Sequence, residues 1–87
     1  MSRVSEFTND NFRTLAFMYD NKNEQNLIKV TQQEVGEELG LSRVTMNKIF
    51  KQLKEKAYIR QDKTKVGRYY ISAEGIDVVE TFRKTDK

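Results

Sequence analysis

The chain has 87 residues, 37% of them apolar and 33% charged, and contains no cysteine, histidine or proline. That length allows one domain with a small core. The missing residue types exclude disulfides, the usual zinc ligand sets and Cys- or His-based catalysis.

The net charge of +3 conceals a segregation: residues 43–68 carry nine Lys/Arg against two acidic side chains, whereas residues 1–42 carry four against seven. A basic block in an otherwise acidic chain predicts one surface facing a polyanion, the plainer alternative being a solvated lysine-rich face. No apolar run approaches the roughly 18 residues that span a bilayer, and "MSRVSEFTND" lacks a signal-peptide core. A cytoplasmic location without membrane contact is expected.

In chain order, Thr8, Asn9 and Asp10 offer N-caps. Phe12, Leu15, Ala16 and Tyr19 follow at i, i+3, i+4, i+7 spacing, one face of an amphipathic helix. The polar stretch "NKNEQN" breaks it, and "LIKV" is short enough to favour a strand. Thr31 with Glu34 three residues later has the spacing of a capping box, so a short second helix is expected to end near Gly40. Ser42 caps a third helix, residues 43–57. Met46, Ile49, Phe50, Leu53 and Ala57 occupy one arc of it, the expected core face. Arg43, Val44, Asn47, Lys48, Lys51, Lys54 and Glu55 occupy the opposite arc, which is more uniformly cationic or hydrogen-bonding than solubility requires.

"YIRQDKTKVGRYYIS", residues 58–72, reads as a hairpin with Tyr69 and Ile71 on one face and Arg68 and Tyr70 on the other. Tyr58, Tyr69 and Tyr70 suit hairpin packing or, alternatively, a stacking platform for single strands. A last helix starts at the Ser72 cap, with Ile76, Val79 and Phe82/Arg83 at helical spacing. These boundaries give an arm at residues 1–7, a domain at 8–84 and a tail at 85–87.

Gly36 and Gly40 stand inside this helical stretch, where each would cost roughly 0.5–1 kcal/mol relative to alanine. Gly36 removes a side chain where two helices cross, and Gly40 supplies a left-handed residue at a helix end. With Val35, Leu39, Leu41, Met46 and Ile49 as packing positions, Gln32 to Ile49 resembles the helix-turn-helix of the winged-helix transcription regulators. "LKEKAYIRQDKTKVGRYYISAEGIDVV" is similar to the stretch after the recognition helix in MarR-like and Crp-like domains. There a basic hairpin wing leads into an "lT.kG"-type helix start, here "ISAEG", with Ser72 for the usual Thr. The resemblance covers residues 12–80. It implies an α+β, mainly helical fold: a winged helix-turn-helix with a three-helix core, a β-hairpin wing and a C-terminal helix.

The resemblance also implies double-stranded DNA as partner, with the third helix in the major groove. By motif position Arg43, Val44, Asn47 and Lys48 would read bases. Gln33, Ser42, Thr45 and Lys51 would bind phosphate, and Lys63, Lys65 and Arg68 the flanking backbone or minor groove. Plainer alternatives stand beside these roles: Arg43 could pair with Glu37 or Glu38, and Asn47 or the lysines could be solvated. Paired half-sites imply a homodimer. Phe7, Phe17, Met18 and Phe82 fit poorly on the predicted core faces and are candidates for its interface, or else complete the core. MarR-type regulators carry further dimerisation helices with an inducer pocket, and Crp-type ones an effector domain. Neither is evident here, so no small-molecule effector is expected.

The expected function is that of a small transcriptional repressor, the alternative being a winged-helix adaptor that docks an acidic protein. No cofactor, metal or catalytic residue is expected. Glu34, Glu37 and Glu38 have no partner base or phosphate loop, and their position near a helix N-terminus accounts for them.

Overall fold

Local signals set each element of the protein, a computed structural model that describes residues 9–85. α1 (Asp10–Asn21) starts where the Asn9 side chain accepts the Phe12 amide at 2.8 Å. Beyond it the Asn23 side-chain oxygen accepts the amides of Gln25 and Leu27, and Asn26 takes φ +65°, a left-handed conformation that asparagine tolerates. β1 (Leu27–Ile28) follows. α2 (Gln32–Leu39) opens on a complete capping box: the Thr31 hydroxyl accepts the Glu34 amide, and the Glu34 carboxylate accepts the Thr31 amide at 2.7 Å. α3 (Arg43–Glu55) starts at Ser42, whose hydroxyl accepts the Thr45 amide at 3.2 Å. β2 (Ile59–Gln61) and β3 (Tyr69–Ile71) form the hairpin. α4 (Ala73–Thr85) begins where the Ser72 hydroxyl accepts the Gly75 amide at 3.0 Å.

α3 is shorter than its apolar periodicity predicts. Ala57 is in phase with Leu53 but lies beyond the helix, exposed, at φ +60°. The Ala57 amide donates to the Lys54 carbonyl and the Tyr58 amide to the Leu53 carbonyl, each at 3.0 Å. That pair of bonds is the Schellman cap, with alanine in the position glycine usually holds. Hydrophobic spacing cannot register such an ending, because alanine carries no stop signal.

The hairpin is two-thirds of a sheet. β1 pairs with β3, giving the antiparallel order β1-β3-β2 with Ile28 opposite Tyr69 and Ile59 opposite Ile71. Those four side chains share the inner face and are all buried, while Leu27, Tyr70 and Arg60 form a row on the outer face. Tyr69 meets the Phe50 ring edge-on at 5.0 Å, so it packs in the core. Tyr70 points outward with the Arg60 guanidinium 5.4 Å from its ring centroid.

The core is built on α3, whose Met46, Ile49, Phe50 and Leu53 are all buried, with Val35 of α2 and Val79 of α4 closing it. From α1 it takes Leu15 and Met18. Met18 has 0% exposure, which removes it from the interface candidates. The buried stripe of α1 is Thr14, Leu15 and Met18, rotated from the predicted one, while Phe12, Ala16, Phe17 and Tyr19 are half-buried beside it. A threonine can occupy that centre because its hydroxyl donates to the Asp10 carbonyl at 2.8 Å and leaves only methyl surface to pack. No buried side-chain polar atom among the described residues lacks a hydrogen-bond partner. Phe7 lies outside the described residues.

α1 braces the remaining helices by side-chain bonds. Asn11 donates to Gln52 of α3 at 2.7 Å, and Arg13 donates to the Leu39 carbonyl at the end of α2 at 3.0 Å. At its other end, Arg83 of α4 grips Asp20 with two bonds of 2.8 and 2.9 Å, and the Tyr19 hydroxyl donates to Glu80 at 2.7 Å. The Phe12 and Phe82 rings meet edge-on at 4.2 Å, so half-buried Phe82 packs against α1.

Candidate nucleic-acid interface

The two glycines fix how α2 meets α3. A Cβ on Gly36 would stand 2.8 Å from Met46 Cγ and 3.0 Å from the Leu41 carbonyl oxygen. Gly40 takes φ +71°, and the next amide, Leu41, turns back to donate to the Gly36 carbonyl at 2.8 Å. The crossing is therefore as tight as the sequence implied, and the reversal is glycine-dependent.

With Met46, Ile49, Phe50 and Leu53 turned inward, α3 presents Arg43, Val44, Asn47, Lys48 and Lys51 to solvent. Arg43, Lys48 and Lys51 have no hydrogen-bond or ion-pair partner among the described residues. The alternative pairing of Arg43 with Glu37 or Glu38 is not made. Val44 stands among these cations at 77% exposure. Lys54, further along, donates to Gln61 of β2 at 3.4 Å.

The polar residues beside these cations are more engaged. The Ser42 and Thr45 hydroxyls share a hydrogen bond of 2.9 Å while Ser42 caps α3, so one proton of the pair stays available to a further acceptor. Gln33, exposed in the first turn of α2, donates to Glu37 at a long 3.5 Å. Asn47 is not simply solvated, because its side-chain oxygen accepts a hydrogen bond from Gln32 Nε2. Sequence reasoning missed Gln32. Fifteen residues separate the two amides, and only the fold brings them together.

The loop 62–68 between β2 and β3 is held at its base by the Asp62 amide, which donates to the Arg68 carbonyl at 2.9 Å. The Asp62 carboxylate accepts the Thr64 hydroxyl at 2.6 Å and the Thr64 amide at 2.9 Å. Those bonds, aided by the charges of Arg68 and Lys65, hold its carboxyl below the usual range. Lys63 and Lys65 are exposed on this ordered turn, Val66 is 92% exposed, and Arg68 is half-buried.

Elsewhere the surface is acidic. Glu34, Glu37 and Glu38 rim a shallow groove floored by Phe17 and Val30. No three acidic residues converge as a metal site among the described residues. No described helix is long and apolar enough to cross a membrane.

Two helices joined by a glycine turn, backed by a three-stranded sheet with a basic loop between its last two strands by sequence, define a winged helix-turn-helix domain. The profile of the Crp-like helix-turn-helix domain matches residues 12–72, and the chain belongs to that family. Among solved structures, a Staphylococcus aureus MepR variant bound to an oligodeoxyribonucleotide superposes with a TM-score of 0.75 at 21% identity, over 98% of this chain and 63% of that one. The S. aureus MepR–DNA complex gives a TM-score of 0.75 at 21% identity, over 98% and 62%. A further MepR variant gives 0.75 at 22%, over 98% and 64%. At that identity the likeness is one of fold, and the chain spans less than two thirds of the MepR chains it matches. Comparison with curated proteins found no match.

Proposed function

We propose that the chain binds double-stranded DNA in the cytoplasm as a small transcriptional repressor, acting by occupying its site. α3 enters the major groove and the loop 62–68 rests on the flanking backbone. The observation that carries this reading is the trio Arg43, Lys48 and Lys51, left unpaired on the outer face of α3 although Glu37 and Glu38 stand on the preceding helix. A surface built only for solubility would pair or mix those signs. The Crp-like family and the DNA-bound MepR neighbours support the same reading.

Arg43 presents donors suited to guanine O6 and N7, Val44 an apolar contact for a thymine methyl, and Asn47 and Lys48 further base contacts. Gln33, Ser42, Thr45 and Lys51 take phosphates, and Lys63, Lys65 and Arg68 hold the flanks. A second copy on a neighbouring half-site completes the operator, with half-buried Phe17 and the exposed part of Phe82, which also packs on Phe12, as the described candidates for a dimer contact.

Arg43→Ala is expected to cost about 1–3 kcal/mol on preferred duplexes and little on others. Lys63→Ala should weaken all duplexes alike and reduce the salt slope by about one. Binding to a randomised duplex library distinguishes the two patterns, and equal, sequence-blind losses from both would overturn the assignment of Arg43.

A further inference from the structure

The acidic groove beside α2 and the tip of the loop 62–68 are opposite in both charge and shape. The groove has an apolar floor, Phe17 and Val30, under the exposed carboxylates of Glu34, Glu37 and Glu38, and a volume of about 450 Å³. The tip carries exposed Lys63 and Lys65 beside Val66, which is 92% exposed. The bonds of Asp62 to Thr64 and Arg68 hold that turn in one shape, so the tip is a fixed projection. One valine with the stems of two lysines suits the groove, the ammonium groups reaching its acidic rim. Glu37, Glu38, Lys63 and Lys65 make no ion pair among the described residues.

Gly67 sets the two surfaces side by side in one chain. A Cβ there would stand 3.2 Å from Thr31 Cγ2 and 3.9 Å from the backbone carbonyl carbon of Val30. The loop therefore rests on the segment that supplies the groove floor, yet leaves Val66 outside that groove. We propose that a second copy of this chain fills it: the tip of each protomer, residues 63–66, seats in the acidic groove of its partner. Val66 lies on Phe17 and Val30, and the lysines meet the three carboxylates. Because tip and groove are neighbours, a two-fold pair makes both contacts at once and closes. Two contacts of this size bury little surface, so the pair is weak and reversible. Under the DNA-binding reading above, Lys63 and Lys65 cannot hold a partner and the duplex flanks together. The pair is thus a DNA-free form, with carboxylates standing where phosphates would.

The test is sedimentation equilibrium of the DNA-free chain, up to about 1 mM protein, at about 50 and 500 mM salt. Self-association is expected at the lower salt and should weaken at least about fivefold at the higher, as its exposed ion pairs are screened. Val66→Ser keeps every charge but loses an apolar contact in both halves of the pair, and should weaken it at least about tenfold. Glu37→Lys and Lys65→Glu should each lose the pairing alone. Mixed in equal amounts, they should pair again: one contact joins an unaltered tip to an unaltered groove, and the other joins reversed charges. All three positions are exposed, so each variant should keep the wild-type Tm. No association at about 1 mM would overturn the proposal and leave the groove to a different basic partner. Association that the three variants leave intact would also overturn it, as would a mixture that stays monomeric. Every reading is taken without DNA, so failure here leaves the DNA-binding reading standing, and failure of that reading leaves the pair.

Discussion

Gly36 and Gly40 sit four residues apart and do different work, so replacing each with alanine should fail differently. A Cβ at position 36 meets Met46 Cγ, which can retreat, and the Leu41 carbonyl, which belongs to the turn and cannot without moving α3. Overpacking of that kind costs typically about 1–3 kcal/mol. A Cβ at position 40 meets nothing within 4 Å, and the cost is the left-handed backbone alone, roughly 1–2 kcal/mol. Thermal melts should show both variants destabilised, and DNA titrations well below either midpoint should show only Gly36→Ala weakened. Stronger binding loss in Gly40→Ala would contradict the steric account. Ala57 offers the reverse experiment. It holds φ +60° where glycine would be unstrained, so Ala57→Gly should stabilise by up to about 1 kcal/mol after the entropy of the freer unfolded chain is subtracted. That raises Tm by several degrees in a domain of this size. A fall in Tm would mean the Ala57 methyl makes a contribution its exposure does not suggest. At this scale the sequence was most readable where a residue type has one job: the Thr31–Glu34 box, the Ser42 and Ser72 caps and the Gly40 turn. It was least readable at Ala57, and at Met18 and Thr14, where a satisfied hydroxyl lets the buried stripe of α1 rotate.

Between elements, the register of the sheet and the bracing of the helices depend on pairings that no local signal carries. "LIKV" reads as a strand, but its partner could not be read from it; only the fold places Leu27 and Ile28 against β3 and turns a hairpin into a three-stranded sheet. The grip of Arg83 on Asp20 joins α1 to α4 across 63 residues and was likewise invisible. The Arg83 hydrogen bonds hold the Asp20 carboxyl below its ordinary value of 3.8. A depressed carboxyl contributes stability that is complete above its unfolded pKa and is lost as pH falls through the folded one. Because both partners are about half exposed, the contribution is at most about 1 kcal/mol. Asp20→Asn should therefore lower Tm slightly at pH 7, and the gap from wild type should close below about pH 4. A gap independent of pH would assign the loss to something other than the ion pair.

Over the whole molecule, charge is what ties the fold to its function. The nine cations of residues 43–68 are clustered in sequence, and the structure distributes them over α3 and its C-cap Lys56, β2 and the loop 62–68. That segregation was legible at once, since it needs only counting. Which cations stay free was not, because it depends on whether the acids of α2 reach them, and they do not. The Gln32–Asn47 contact lay beyond any pattern in the chain for the same reason: it exists only once two helices cross at a glycine.

The most direct measurement is fluorescence anisotropy of a labelled random-sequence duplex titrated with the chain at about 50 and 200 mM salt. Contact of this basic surface with phosphates predicts micromolar binding that weakens at least about tenfold between the two, as counterion release requires. Absence of binding at the lower salt, or binding that ignores salt, would contradict a nucleic-acid interface and leave an acidic protein as the partner for Arg43, Lys48 and Lys51.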